Sequence, residues 1–152
     1  MPPSLSLREG IFVNLKATLE TITIANGYAT ALGTVTRGML APLETSVLPT
    51  ASLLPVSDEP VYGPGVLRRE LTVTVRVWID VALADTPTAL ESLIADVQQA
   101  LQVDPRRGAL AENTLDGTLQ YIYLQSVETL AGADISFQVD YRTQLLTPRV
   151  GV

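Results

Sequence analysis

The chain of 152 residues has no cysteine and no histidine. Without cysteine there is no disulfide framework, zinc-thiolate site or thiol nucleophile. Without histidine the commonest general base and transition-metal ligand are also missing. These absences together exclude a large share of enzyme mechanisms. Lysine is scarce as well: Lys16 stands alone beside nine arginines. A Ser-Lys dyad would have to use Lys16, which falls on the polar face of the first helical stripe, where an exposed ammonium keeps its proton.

Charge is sparse and acidic. Charged residues make up 17% of the chain, against about 25% in an average domain, and the net charge is -6. That balance argues against coating DNA or RNA, which rests on Lys and Arg neutralising phosphates. A charge-poor surface suggests burial against protein partners, and Arg suits interfaces because its planar fork pairs carboxylates bidentately. GC-rich codon usage would give the same arginine bias. The longest apolar tract, Leu71 to Ala84, carries Arg76 and Asp80 and is too short to span a bilayer, so no membrane partner is expected. Arg8 and Glu9 interrupt the opening residues, which do not read as a secretory signal. The length predicts one soluble domain, residues 1–152, able to bury a core without metal or disulfide staples.

What is present is periodicity. Behind a cap at Ser4 or Ser6, Leu7, Ile11, Phe12, Leu15, Leu19 and Ile22 form one helical stripe, with Arg8, Lys16 and Glu20 opposite. Asn26-Gly27 ends this element and Thr34 to Thr36 begins a short strand. From Gly38 to Gly65 prolines and glycines punctuate the chain, which predicts a loop holding one strand near Ala51 to Val56. The clearest signal follows: Leu67, Leu71, Val73, Val75, Val77, Ile79 and Val81 alternate with Arg68, Glu70, Thr72, Thr74, Arg76, Trp78 and Asp80, a strand with one buried side. At about 3.3 Å per residue this run reaches roughly 50 Å, so it must bend or project beyond its own domain. Asp85-Thr86-Pro87 starts a second helix with Leu90, Leu93, Ile94, Val97 and Leu101 on one face, ending near Asp104-Pro105. After a polar connection from Arg106 to Gly117, Thr118–Thr129 and Asp134–Leu146 read as a hairpin joined around Ala131-Gly132. The order gives an α+β fold: a two-layer sandwich, mostly antiparallel, with two helices packed on one face.

Chemistry is mostly missing. Asp58-Glu59 and Asp80 with Asp85 are the nearest carboxylate pairs, but solvation in a loop and helix capping explain them. No spaced oxygen-ligand loop or Gly-rich phosphate cradle is present, so neither metal nor cofactor is expected and the chain does not read as an enzyme. Arg106-Arg107 suits the negative end of the preceding helix dipole. Trp78 falls on the polar face of the long strand, where it either packs under a loop or enters a partner's surface.

In order, the N-terminal Leu-rich helix, Ala51-Ser-Leu-Leu-Pro-Val-Ser-Asp-Glu59, Leu71-Thr-Val-Thr-Val-Arg-Val-Trp-Ile-Asp80, Ala89-Leu-Glu-Ser-Leu-Ile-Ala-Asp-Val-Gln-Gln-Ala-Leu101 and Val139-Asp-Tyr-Arg-Thr143 span nearly the whole chain. This succession resembles the phage tail terminator (tail completion) family. Where that family often has a Leu-Gly-Gly-like turn after the second helix, this chain has Arg107-Gly-Ala-Leu110. The resemblance implies a homo-hexameric ring at the head-proximal end of the virion's tail. Such a ring is assembled in the host cytoplasm, stops tail tube polymerisation and offers a surface for head joining. Its partners would be the tail tube protein and a neck or head-closure protein, with DNA only passing through the lumen. The alternatives are a neck, head-closure or tail tube ring component and, from another class, a small ligand-binding enzyme. The over-long strand and the loop before it nominate Asp58, Glu59, Tyr62, Arg68, Arg69, Arg76 and Trp78 as the subunit or tail-tube interface.

The acidic balance predicts weak contact with nucleic acid. Duplex DNA titrated at physiological ionic strength is expected to bind no tighter than micromolar; salt-sensitive, sub-micromolar affinity would contradict the assembly reading.

Overall fold

The computed structural model describes residues 5–39, 49–80, 86–123, 130–144 and 147–151. Helix α1, Leu7–Glu20, starts at Ser6, whose hydroxyl accepts from the Glu9 N–H at 3.1 Å. It buries Ile11, Phe12, Leu15 and Leu19. A 3-10 turn, Ile24–Asn26, closes on Gly27 in the left-handed conformation, and β1, Thr34–Arg37, follows. Then come β2, Thr50–Gly63, and β3, Val66–Asp80. Helix α2, Thr86–Val103, leads to β4, Asn113–Tyr123, β5, Leu130–Gln144, and β6, Thr147–Gly151. The other possible cap, Ser4, together with Pro42 and the Asp85 cap of α2, lies outside the described residues.

The strands form one sheet in the order β1-β2-β3-β5-β4, with β6 added against β5. Among the described residues only β1 and β2 run parallel; the other pairs are antiparallel. This is the expected α+β sandwich, its core lying between the two helices and one sheet face. From the sheet come Ala51, Leu53, Leu71, Val73, Val75, Val77, Ile79, Ile135, Phe137 and Val139; from α2 come Leu90, Leu93, Ile94, Val97 and Leu101. Buried Asp96 of α2 is satisfied by the Thr30 hydroxyl at 2.6 Å and the Thr30 and Ala29 N–H groups at 2.8 and 3.3 Å, which ties the first connection to the helix layer.

Three boundaries differ from the sequence reading, each for a physical reason. The strand expected near Ala51 to Val56 continues to Gly63, because a bulge between Pro55 and Ser57 shifts its register against β3 and hides the alternation. The polar connection ends earlier, since β4 already starts at Asn113 and carries its own bulge between Asp116 and Leu119. Ala131-Gly132 is not a turn but lies inside β5, opposite Ile79 and Trp78. A Cβ on Gly132 would fall 2.4 Å from the Val77 carbonyl oxygen and 2.7 Å from the Trp78 ring, so glycine is there for the indole and not for a reversal.

After α2 the chain reverses through Arg107, Gly108 and Ala109, all with positive φ at 52°, 66° and 68°. Arg107 is fully buried, and its guanidinium donates to the Leu101 and Asp104 carbonyls and, at 3.4 Å, to the Thr18 hydroxyl. It satisfies carbonyls that the end of a helix leaves open. Burial holds its pKa below the ordinary arginine value, with the Asp104 charge opposing. Left-handed backbone costs a non-glycine residue about 1–2 kcal/mol, and Ala109 is exposed with little packing to lose. Ala109→Gly is therefore expected to raise the melting temperature, by about 2–4 °C if about 1 kcal/mol is recovered; an unchanged or lowered value would show that the turn is not strained there.

Candidate functional site

Element lengths decide what emerges from the domain body. With 14 and 18 residues, α1 and α2 are about 21 and 27 Å long at 1.5 Å per residue. The 15 residues of β3 extend about 50 Å at 3.3 Å per residue. The helices therefore cannot cover the strand. What they leave uncovered is the far part of the β2–β3 hairpin together with the end of β5. This arm projects as a three-stranded sheet, not as a lone strand with open backbone groups. β3 pairs with β2 from Val66 to Trp78 and with β5 along its whole length.

Where the helix layer ends, a polar cluster replaces the apolar core. The Val56 bulge changes which β2 residues face the helices, so Asp58 lies opposite Leu71 and turns inward. Its side chain is only 9% exposed. It accepts from Arg8 of α1 at 2.9 Å and from the buried Tyr141 hydroxyl of β5, and it lies 3.4 Å from Arg69 of β3. One carboxylate thus joins the start of the first helix to all three strands of the arm. Burial, followed by the hydrogen bond to Asp58, pushes the Tyr141 pKa upward, with Arg8 and Arg69 opposing.

The opposite face of the arm is laced by ion pairs. Arg76 makes a bidentate pair with Asp134, Nε to Oδ1 at 2.7 Å and Nη2 to Oδ2 at 2.9 Å. Arg68 reaches Asp140 at 3.3 Å and Glu70 at 3.4 Å, and Arg142 holds Glu112 at 2.6 Å. Arg68 is under-used: its Nε is buried with no acceptor. Beside it Val61, Tyr62, Pro64, Val66 and Arg142 line a recess of about 320 Å³.

Beyond Leu53 no described strand pairs with the outer edge of β2. Gly63 and Val66 flank a Pro64-Gly65 turn, Gly65 having φ +70°, and so form the bonded pair that closes the hairpin. Tyr62, Pro60 and Asp58 then direct their backbone groups outward. On the near side of the bulge the Leu53 carbonyl accepts from the Gly38 N–H at 2.9 Å, which places Pro55 on the same outer edge. Pro55 and Pro60 have no N–H, so a partner strand cannot form a regular ladder here. The arm can be recognised through its side chains instead. Val56 and Tyr62 are 61% and 77% exposed, a large apolar and aromatic display for so short a stretch.

The nominated residues therefore separate. Glu59, Tyr62 and Arg68 are accessible on the arm. Asp58 and Arg69 belong to the cluster beneath it, and Arg76 is engaged with Asp134. Trp78 is 4% exposed, stacked over Gly132, and its indole Nε1 has no acceptor. Val61, Val66 and Arg142 escaped sequence reasoning because pairing across three strands brings them together. Asp58 and Glu59, adjacent in sequence, point to opposite faces and do not form a carboxylate pair; Asp85 lies outside the described residues. Among the described residues no group of three acidic, cysteine or histidine side chains could hold a metal ion, and no helix is long and apolar enough to cross a membrane.

No protein-family model and no curated protein sequence matches the chain. Among solved structures it is similar to a chain in the virion of a native gene transfer agent particle, at 14% identity, with 91% of this chain and 96% of the other covered and a TM-score of 0.57. At that identity the likeness is one of fold.

The cluster under the arm has a pH signature. The folded state keeps Tyr141 protonated above the ordinary value of 10, so the linked stability is complete below that pH and fades as pH rises past it. Tyr141→Phe is expected to cost about 1–2 kcal/mol at neutral pH. In urea unfolding from pH 8 to 11, the difference between wild type and variant should shrink above pH 10; parallel curves would contradict the assignment.

Proposed function

We propose that the chain is a structural virion protein without catalytic activity that forms a ring closing the head-proximal end of a phage tail tube and provides the head-joining surface. The observation that carries this reading is the fold held in common with a chain of a gene transfer agent virion over nearly the full length of both. Three features of the chain agree with it. It contains no histidine or cysteine, its net charge of -6 suits a lumen that DNA slides past, and its sheet extends past its helices as an arm. A ring subunit must bury two different side faces, which calls for exposed apolar surface of the kind that Val56, Val61 and Tyr62 present.

In this reading the partners are further copies of the chain, the tail tube protein on one side and a neck or head-closure protein on the other. The protein is located in the virion, having assembled in the host cytoplasm. Among the residues nominated from sequence, Glu59, Tyr62 and Arg68 make the outward contacts. Asp58, Arg69, Arg76 and Trp78 hold the arm that presents them.

Native mass spectrometry and sedimentation of the purified chain at tens of micromolar, alone and with tail tube protein, test the proposal. The expected species is a closed ring of six. A monomer under both conditions, or open-ended stacking into tubes, would overturn it.

A further inference from the structure

Asparagine occurs three times in the chain, and only Asn26 is followed by glycine; Asn14 precedes Leu15 and Asn113 precedes Thr114. Glycine has no side chain to keep its own nitrogen away from the preceding carboxamide carbon. Asn26-Gly27 is therefore the asparagine site best suited to intramolecular attack on an amide. The pair is exposed, at the end of the 3-10 turn that follows α1. Both reacting groups are engaged in the folded chain. The Asn26 side-chain amide donates to the Thr21 carbonyl at 2.8 Å, and the Gly27 N–H donates to the Ile24 carbonyl at 3.0 Å. The Asn26 N–H is itself held by the Thr23 hydroxyl at 3.2 Å. Thr21 is the C-cap of α1, so the Asn26 amide supplies a donor where a helix end leaves carbonyls open. The last turn of α1 contains no basic residue, which leaves its negative end without a cation of its own.

We propose that Asn26-Gly27 is a deamidation site that the fold holds shut, and that its conversion unfastens the end of α1. In the reaction the Gly27 nitrogen gives up its proton and forms a bond to Asn26 Cγ, the Cγ–Nδ2 bond breaks, and ammonia leaves with a cyclic succinimide left behind. Water then opens the ring at one of its two carbonyls, giving aspartate or, with the backbone rerouted through Cγ, isoaspartate. Water is the only co-reactant. The attacking nitrogen and the leaving amide must first give up the hydrogen bonds to Ile24 and Thr21, so the reaction proceeds from a locally opened connection. Afterwards a carboxylate stands where the donor to Thr21 was. It faces a carbonyl oxygen and the negative end of a helix, both unfavourable to an anion. The change is passed toward the second helix, because the same connection continues to Ala29 and Thr30, which hold Asp96 of α2.

The test incubates the full-length chain at mildly alkaline pH, folded and in guanidinium chloride, and reads amide-to-acid conversion at each asparagine by peptide mass spectrometry. Conversion is expected at Asn26 ahead of Asn14 and Asn113 in the unfolded chain, and at least about tenfold slower at Asn26 when the chain is folded. Thermal melting of Asn26→Ala and Asn26→Asp at neutral pH separates the lost donor from the added charge. Both are expected to melt below wild type, Asn26→Asp the lower of the two by at least about 2 °C. Equal rates in the folded and unfolded chain, no preference for Asn26 on unfolding, or an Asn26→Asp chain that melts with wild type would each overturn the proposal.

Discussion

Strand β3 is the element on which the other parts depend. Its inner side chains, Leu71, Val73, Val75, Val77 and Ile79, form the sheet's half of the core, and its backbone is paired by β2 on one side and β5 on the other. Both neighbours match its length, so no edge of this long strand is left open, a condition that would invite aggregation. The helix layer is only about half as long. A three-stranded arm follows from that mismatch.

Where the helices stop, the means of holding the layers together changes. At position 58 a carboxylate gathers Arg8, Arg69 and the Tyr141 hydroxyl, polar groups that an apolar side chain would leave without this partner. The bulge at Val56 is what turns Asp58 toward them. A one-residue change of register exchanges faces, so this irregularity decides which side chains hold the arm and which are displayed. Arg107 plays a comparable part at the other end of the helix layer, where a buried guanidinium closes α2 against α1.

The chain has no histidine or cysteine and displays apolar side chains on its arm. Val56, Val61 and Tyr62 are exposed where the sheet leaves the body, its arginines meet carboxylates, and proline keeps the β2 edge from recruiting strands indiscriminately. Under the proposed ring reading, side-chain recognition on the arm would suit an assembly that stops at a fixed number of copies, whereas an open strand edge carries no such limit.

Periodicity by itself determined the two helical stripes, the buried face of the long strand and the inward residues Ile135, Phe137, Val139 and Tyr141. In each the spacing of apolar residues is set by the repeat of the backbone, which is local. Composition settled what chemistry is missing, since no fold can supply an absent histidine or cysteine. Only the tertiary structure decided that β2 runs on to Gly63, that Gly132 makes room for Trp78, and that Arg68 and Arg142 share a recess with Val61. A bulge breaks the two-residue repeat, and a glycine under an indole looks in sequence like a turn. Neighbours across strands that are distant in the chain leave no mark on sequence spacing, because register is fixed by pairing and packing together.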